Sequence, residues 1–211
     1  MVRERLSRLT SELTSQLEWM RVSQEITTLL LEGAEEEQAL QSIAARVRAI
    51  AEADTCLLIL PSVGGLWLCE IADGCRSDTL LGLRFPEDGR AVAVLRGGVG
   101  VLVESLAEAD RMLVPELRQF GPALYAPMNV RGSGRGVILL LRRVGAAAFD
   151  ASDLARAESL AQQTALALEL AASRHSEDEA HLLAERQRIS RDLHDLAIQQ
   201  LFAAGMRLDA A

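Results

Sequence analysis

The chain has 211 residues, of which 49% are hydrophobic and 25% charged, values that are typical of a globular protein. Its formal net charge of −8 argues against general binding to nucleic acid, and no apolar run reaches the roughly 20 residues that span a bilayer. All 22 basic residues are arginine, which excludes chemistry that needs a lysine amine. The charged N-terminus has no signal-peptide core, so we expect a cytoplasmic chain without membrane insertion.

Residues 1–32 are predicted to form a long amphipathic helix. Leu6, Leu9, Leu13 and Leu17 follow one another at steps of three and four, and no glycine or proline occurs before Gly33. The spacing is close to a heptad pattern, which favours a two-helix coiled coil. We therefore interpret this segment as a coiled-coil helix of a homodimer.

The middle of the chain, 33–170, is predicted to be an α+β domain with an antiparallel sheet. A helix over 33–54 with an apolar face comes first, and the run TCLLILP then indicates a buried strand. The further expected elements are strands at 66–72, 80–85 and 99–106, a short helix at 89–98, and a hairpin at 123–144 whose turn is GSGRG at 132–136. Strands that alternate with small helices favour one layered α+β domain.

The last part of the chain is predicted to be helical. Asp150 is a suitable N-cap, and Asp153 stands at the third position of a capping box. From there to Ala211 no proline occurs and Gly205 is the only glycine. A helix of that length needs a partner helix, so we expect 171–211 to pair with a helix of another chain.

Three segments of the middle region resemble landmarks of the GAF domain family, a small ligand-sensing fold. They are LRFPEDGRAVAVLRGGVGVLVESL, GPALYAPMNVRGSGRGVILLL and FDASDLARAESLAQQTALALE, and with the element order they extend the resemblance over roughly residues 35–170. The resemblance implies that 33–170 is a GAF sensor domain. The resemblance does not identify the ligand.

The segment ERQRISRDLHDLAIQQLFAAGMRL, residues 185–208, is similar to the phosphoacceptor helix of one branch of sensor histidine kinases. That branch carries a His-Asp-x-x-x-Gln motif, here His194, Asp195 and Gln199, preceded by Arg191 and Leu193. This branch of kinases pairs with response regulators that have a helix-turn-helix output domain. The sequence of residues 185–208 is most similar to that of actinobacterial kinases with GAF sensors. The resemblance implies a two-component system and a homodimeric phosphoprotein. It also implies that 1–32 is a signalling helix and that 171–211 is a linker helix followed by the first helix of a dimerisation and phosphoacceptor domain.

The chemistry of the motif agrees with this interpretation. Phosphoryl transfer to nitrogen needs a neutral imidazole, which makes His194 the expected phosphoacceptor. The Asp195 carboxylate can accept a hydrogen bond from the other ring nitrogen, stabilise the developing charge and act as general base. For Gln199 the family implies a role in positioning water for phosphatase turnover. A lone His-Asp pair would more often be an ordinary solvated helix surface, and the longer motif favours the reactive role.

Several parts of a histidine kinase are missing from the sequence. The chain stops shortly after His194, without a second bundle helix or an asparagine- and glycine-rich ATP-binding domain. We therefore expect the sensor portion of a longer kinase, inactive alone, that depends on a downstream ATP-binding domain with ATP and magnesium. No cofactor is evident in the chain itself. Haem held by a GAF histidine is disfavoured, because residues 33–170 contain no histidine.

Two alternatives stay open. The chain could be a non-catalytic GAF dimer that binds a ligand or serves as a scaffold, which fits if its end is natural and not a truncation. Cys69 and Cys75 could form a thiol redox switch if the strand end between them brings them close. We interpret Cys56, which lies in TCLLILP, as a buried hydrophobic residue. No C-x-x-C pair occurs, so no metal site is predicted.

Overall fold

The computed structural model describes residues 36–130, 133–166 and 168–169. The helices that we predict over 1–32 and 171–211 lie outside these residues. In the described part of the chain, no helix is both long enough and apolar enough to cross a membrane.

Six antiparallel strands form one sheet, in the order β3-β2-β1-β6-β5-β4. The strands are β1 Thr55–Pro61, β2 Trp67–Gly74, β3 Arg84–Phe85, β4 Val101–Val103, β5 Phe120–Val130 and β6 Ser133–Arg143. The helices are α1 Glu36–Ile50, α2 Ser77–Leu80, α3 Arg90–Gly97 and α4, which covers 151–166 and 168–169, with short 3-10 turns at Val63–Gly65 and Pro115–Gln119. The predicted α+β class and antiparallel sheet are confirmed.

Strand β1 is apolar from Cys56 to Ile59 because both faces of the sheet are covered there. Cys56 and Leu58 point into one core, and Leu57 and Ile59 point into the other; all four are fully buried. Successive side chains of a strand alternate between faces, so a strand between two layers needs apolar residues at every position. The first core is formed with α1 and α4, to which Ile43, Val47, Leu160 and Ala161 contribute.

The second core lies on the opposite face, under α3 and the loop between β4 and β5. Its members from the sheet are Leu57, Ile59, Cys69, Ala72, Phe85, Phe120, Ala123, Tyr125, Val137, Leu139 and Leu141, and α3 adds Ala91, Val94 and Leu95. Helix α3 is short because Gly98 ends it in the left-handed conformation, with φ of 67°, and donates from its N–H to the Val94 carbonyl. This confirms the glycine-terminated helix that the sequence predicts.

Two of the predicted strands are shorter than expected. The segment 80–85 contributes only β3, because Leu80 closes α2 and Gly82 turns the chain with a φ of 76°. The segment 99–106 contributes only β4, since the chain then leaves the sheet edge. Leu106 is nevertheless fully buried, and its N–H donates to the Gly121 carbonyl at 2.8 Å. Only part of each apolar run is strand, and only part is buried, since Leu81, Val99, Val101 and Leu102 are exposed.

The predicted hairpin is present, but the turn that we placed at 132–136 is wrong. Strand β6 already begins at Ser133, which pairs with Val130, and Gly134 pairs with Asn129. The glycines are there for close packing: a Cβ on Gly134 would lie 2.7 Å from Leu95, and one on Gly136 would lie 2.6 Å from the Ile59 carbonyl oxygen. A cluster of glycines in the sequence does not distinguish a turn from a crowded strand.

Helix α4 begins with the predicted capping box. The Asp153 N–H donates to Asp150 Oδ1 at 2.8 Å, and the Asp150 N–H donates to Asp153 Oδ2 at 3.1 Å. The two bonds satisfy backbone donors that a helix start otherwise leaves unpaired.

Candidate functional site

A cleft opens on the second face of the sheet, between α3, the segment that follows β3, and the loop before the second 3-10 turn. Its volume is about 220 Å³. The lining residues are Phe85, Pro86, Asp88, Gly89, Arg90, Ala91, Arg111, Met112, Leu113, Val114, Leu117 and Tyr125. Apolar side chains form most of the wall, and a few polar groups converge on it, which is the usual composition of a ligand site.

Local sequence explains why the cleft forms at this position. After β3 the Gly89 N–H donates to the Pro86 carbonyl at 2.9 Å, which turns the chain into the start of α3. Helix α3 then packs on the sheet through buried residues, among them Ala91 and Leu95. On the other side Leu117, buried in the second 3-10 turn, holds the loop against the same core. The two segments stand on one hydrophobic base and leave a gap between them.

Tyr125 lies at the base of the cleft, beneath the guanidinium of Arg90. The Arg90 Cζ lies 5.9 Å from the centre of the tyrosine ring, within the range of a cation–π contact. Tyr125 is only 3% exposed. Burial raises the pKa of its hydroxyl above the ordinary value, and the nearby Arg90 guanidinium opposes this in part. A neutral hydroxyl is therefore kept at the buried end of the cleft at ordinary pH.

A second arginine stands at the mouth. Arg111 Nη2 lies 3.1 Å from Asp88 Oδ2, so an ion pair joins the two walls. The side chains are 77% and 68% exposed, and an exposed pair of this kind contributes little to stability. The pair can therefore open at small cost.

A second, polar cavity of about 230 Å³ lies at the opposite end of the domain. Arg142 fills one side of it, with its side chain 12% exposed. Its guanidinium donates to the carbonyls of Ala51, Glu52, Ala147 and Ala148 at 2.8–3.2 Å and lies 3.6 Å from Asp153. The polar wall of the cavity is formed by Arg142, Asp153, Glu52 and Arg156, and Arg142 joins the end of α1 to the start of α4.

The structure does not bring the two candidate redox cysteines together. Cys69 is buried within β2, and Cys75 is exposed after the end of the same strand. Six residues of extended chain span roughly 20 Å, whereas a disulfide needs Cα atoms within about 7 Å. Desolvation raises the pKa of Cys69 to about 12, and Glu70 adds to the effect. Desolvation also raises the pKa of Cys56, which is fully buried.

The predicted phosphotransfer residues, His194, Asp195 and Gln199, lie outside the described residues.

The cleft, in contrast, was not identified as a site from the sequence. The landmark LRFPEDGRAV contains one wall of it, but nothing in the spacing shows that Arg111 and Tyr125 meet that wall. A signal was available in Tyr125, the one tyrosine of the chain, because it stands in a mostly apolar strand.

A comparison with protein families accounts for the fold. The family model of the GAF domain matches residues 35–168. The chain belongs to the GAF domain family. The Histidine kinase family model matches residues 185–211, the segment that holds His194. Both resemblances that the sequence motifs indicate, to a GAF domain and to a sensor histidine kinase, are thereby confirmed.

Solved GAF domains share this fold. The GAF-B domain of DevS from Mycobacterium smegmatis matches with 22% identity over 65% of this chain and 95% of that chain, with a TM-score of 0.56. The GAF domain of a phosphoenolpyruvate-protein phosphotransferase from Coxiella burnetii matches with 19% identity over 76% and 98%, with a TM-score of 0.63. A phycocyanobilin-bound GAF domain from a cyanobacterial phytochrome has 18% identity over 74% and 97%, with a TM-score of 0.63. At these identities the likeness shows the fold alone.

The cleft is small: pockets for drug-sized ligands have roughly 300–1,000 Å³, whereas this cleft has about 220 Å³. In the described part of the chain, no group of three or more histidine, cysteine, aspartate or glutamate side chains could hold a metal ion.

Proposed function

We propose that the chain is the sensor portion of a two-component histidine kinase, in which the GAF domain binds a small ligand and His194 carries the phosphate. The observation that carries the proposal is the Histidine kinase match over 185–211, in the same chain as a GAF domain that has a lined cleft. Residues 1–32 would be the signalling helix, 33–170 the sensor, and 171–211 the linker and acceptor helix.

The proposed chemistry moves one phosphoryl group. An imidazole nitrogen of His194 attacks the γ-phosphorus of ATP held by an ATP-binding domain elsewhere in the kinase, a P–N bond forms, and the bond to ADP breaks. Asp195 accepts a hydrogen bond from the other ring nitrogen and stabilises the positive charge that develops on the ring. The phosphate then passes to an aspartate of a response regulator with a helix-turn-helix output domain.

The test is phosphate incorporation by a kinase that contains this chain together with its ATP-binding domain. We expect His194→Gln to abolish labelling from radioactive ATP and to leave the homodimer intact. His181→Gln, a histidine without the motif, is the matched control and should label normally. Labelling that survives in His194→Gln would exclude His194 as the acceptor.

The two neighbouring roles have separate readouts in the same kinase. General acid–base groups typically contribute about 10²- to 10⁴-fold, so Asp195→Asn should slow labelling at least 10²-fold without loss of ATP binding. Gln199→Ala should leave labelling unchanged and slow the loss of phosphate from the response regulator. If Gln199→Ala lowers labelling instead, the amide acts in the forward transfer and the phosphatase role is wrong.

The scaffold alternative makes the opposite prediction. A non-catalytic GAF dimer would bind its ligand and show no labelling in any variant, even with the ATP-binding domain supplied. The redox version of the sensor is less favoured, because Cys69 is buried with a raised pKa and far from Cys75.

A further inference from the structure

The cleft has the size of a small ligand with one ring. An apolar cavity of about 150 Å³ holds a benzene ring. At about 220 Å³ this cleft has room for a body of that size and one more polar group of a few atoms. Phe85, Met112, Val114 and Leu117 form an apolar wall that suits such a body.

The charge at the cleft is opposite to that of the whole chain. The protein carries a formal net charge of −8, yet Arg90 and Arg111 line the cleft against the single acid Asp88. Arg90 stands over Tyr125, and no ion pair joins it to another of the described residues, while Arg111 forms an exposed ion pair with Asp88 that opens readily. The local excess of about one positive charge attracts a ligand that carries one negative charge.

We propose that this cleft binds a small organic acid, with one carboxylate between Arg90 and Arg111 and an apolar body of about one ring against the Phe85 wall. A guanidinium presents paired N–H groups that match the two oxygens of a carboxylate. On binding, Arg111 exchanges Asp88 for the ligand carboxylate, which draws the loop toward α3. The proposal rests on the function proposed above only in taking the cleft as the sensor's ligand site.

The test uses the 211-residue chain and two probes, benzoate and hexanoate, measured by isothermal titration calorimetry. Benzamide keeps the shape of benzoate without its charge, and benzylamine reverses the charge. A hydrogen bond to a charged group contributes enough to change affinity about ten- to hundredfold. We expect at least one of the two acids to bind saturably, benzamide to bind at least tenfold more weakly than benzoate, and benzylamine not to bind.

Two variants connect the binding to the named side chains. Arg90→Gln and Arg111→Gln should each weaken binding of the acid about ten- to hundredfold and leave benzamide unchanged. Arg96→Gln is the matched control, because Arg96 lies on the same helix, 65% exposed, and does not line the cleft. Thermal unfolding of each variant verifies that it folds.

Four results would overturn the proposal. The first three are no saturable binding of either acid in the millimolar range, binding of benzamide as tight as that of benzoate, and wild-type affinity in both arginine variants. The fourth is tighter binding of phenyl phosphate than of benzoate, because it would identify a dianion as the ligand. None of these results bears on His194, whose labelling is measured in a different molecule, so the two proposals fail separately.

Discussion

The one tyrosine of the chain reports directly on the cleft. Tyr125 is buried beneath Arg90, and burial raises the pKa of its hydroxyl, with a partial opposing effect of the guanidinium. Its apolar neighbours on β5 make the strand look uniform in sequence, so only the fold shows that this hydroxyl meets a cleft. Because the chain has no second tyrosine, the absorbance of tyrosinate follows this one group.

We expect the native chain to form tyrosinate at a pH clearly above 10.0, the ordinary value. Below the ordinary pKa of 10.0, Tyr125 holds its proton in both the folded and the unfolded chain. Between that value and the folded-state pKa, the unfolded chain loses the proton while the folded chain keeps it. The free energy of unfolding therefore falls as pH rises through the folded-state pKa. Arg90→Gln should move the midpoint of the tyrosinate titration to a still higher pH, because it removes a cation that lowers the pKa of Tyr125. Arg96→Gln should leave that midpoint unchanged. A native midpoint at 10.0 would contradict the buried position.

The three cysteines are expected to differ in reactivity. Cys75 is exposed, whereas Cys56 and Cys69 are buried and have raised pKa values, so they form little reactive thiolate. A thiol reagent such as DTNB should modify one thiol rapidly in the native chain and three in denaturant. Cys75→Ser should abolish the fast phase. Fast reaction of a second thiol, or its loss on peroxide treatment, would return the redox switch to consideration.

At the scale of single residues, Cys56 is buried as the apolar run around it predicts, because both faces of β1 are covered. The proximity that a switch between Cys69 and Cys75 requires is not found. Whether Cys69 and Cys75 meet depends on the path of the chain between them, and β2 runs straight through that interval. Neighbours in sequence are held apart when the chain between them is extended.

Among the elements, the start of α4 depends on Arg142. Its guanidinium satisfies four carbonyls, contacts Asp153, and lies 3.9 Å from the centre of the Phe149 ring. The end of α1, the end of β6 and the start of α4 are thus held by one side chain. In sequence, Arg142 is only the first of two arginines after an apolar run.

Arg142→Met should lower the free energy of unfolding by about 1–2 kcal/mol, because it removes hydrogen bonds to four carbonyls, of which only that of Ala51 belongs to a buried residue, while Asp153 keeps its ion pair with Arg156. The methionine keeps the aliphatic volume, so the loss reports the guanidinium. Arg143→Met is the matched control: its side chain is exposed, and the change should stay within about 0.5 kcal/mol. Urea unfolding followed by circular dichroism measures both. Equal effects of the two changes would show that the cluster has no special role.

The elements with local signals were predicted well. Helix α1, the capping box of α4 and the glycine end of α3 are set by residues within a few positions of one another, and each is confirmed. The segments 80–85 and 99–106 were overextended, and the hairpin turn was misplaced. In these cases the length of a strand depends on which neighbour it finds in the sheet, which no local pattern contains.

For the whole molecule, the dimer remains a prediction from the leucine pattern of residues 1–32. We expect native mass spectrometry of the chain to show a homodimer. Leu13→Glu places a charge in the predicted seam and should shift the chain to monomer, because a buried unpaired charge is costly. Ser11→Glu lies off the seam and should leave the dimer in place. A monomeric wild-type chain would require another account of how the acceptor helices meet.

The sequence by itself determined the family, the order of elements, the two-sided burial of β1 and the motif around His194. Each depends on residue types at short, regular spacing, which local conformation and burial impose directly. Only the tertiary structure decided that Arg90, Arg111 and Tyr125 line one cleft, that Arg142 joins two helices, and that Cys69 and Cys75 stand apart. The residues in these groups come from separate elements, and their distances follow from how the sheet orders its strands and how loops pack on it.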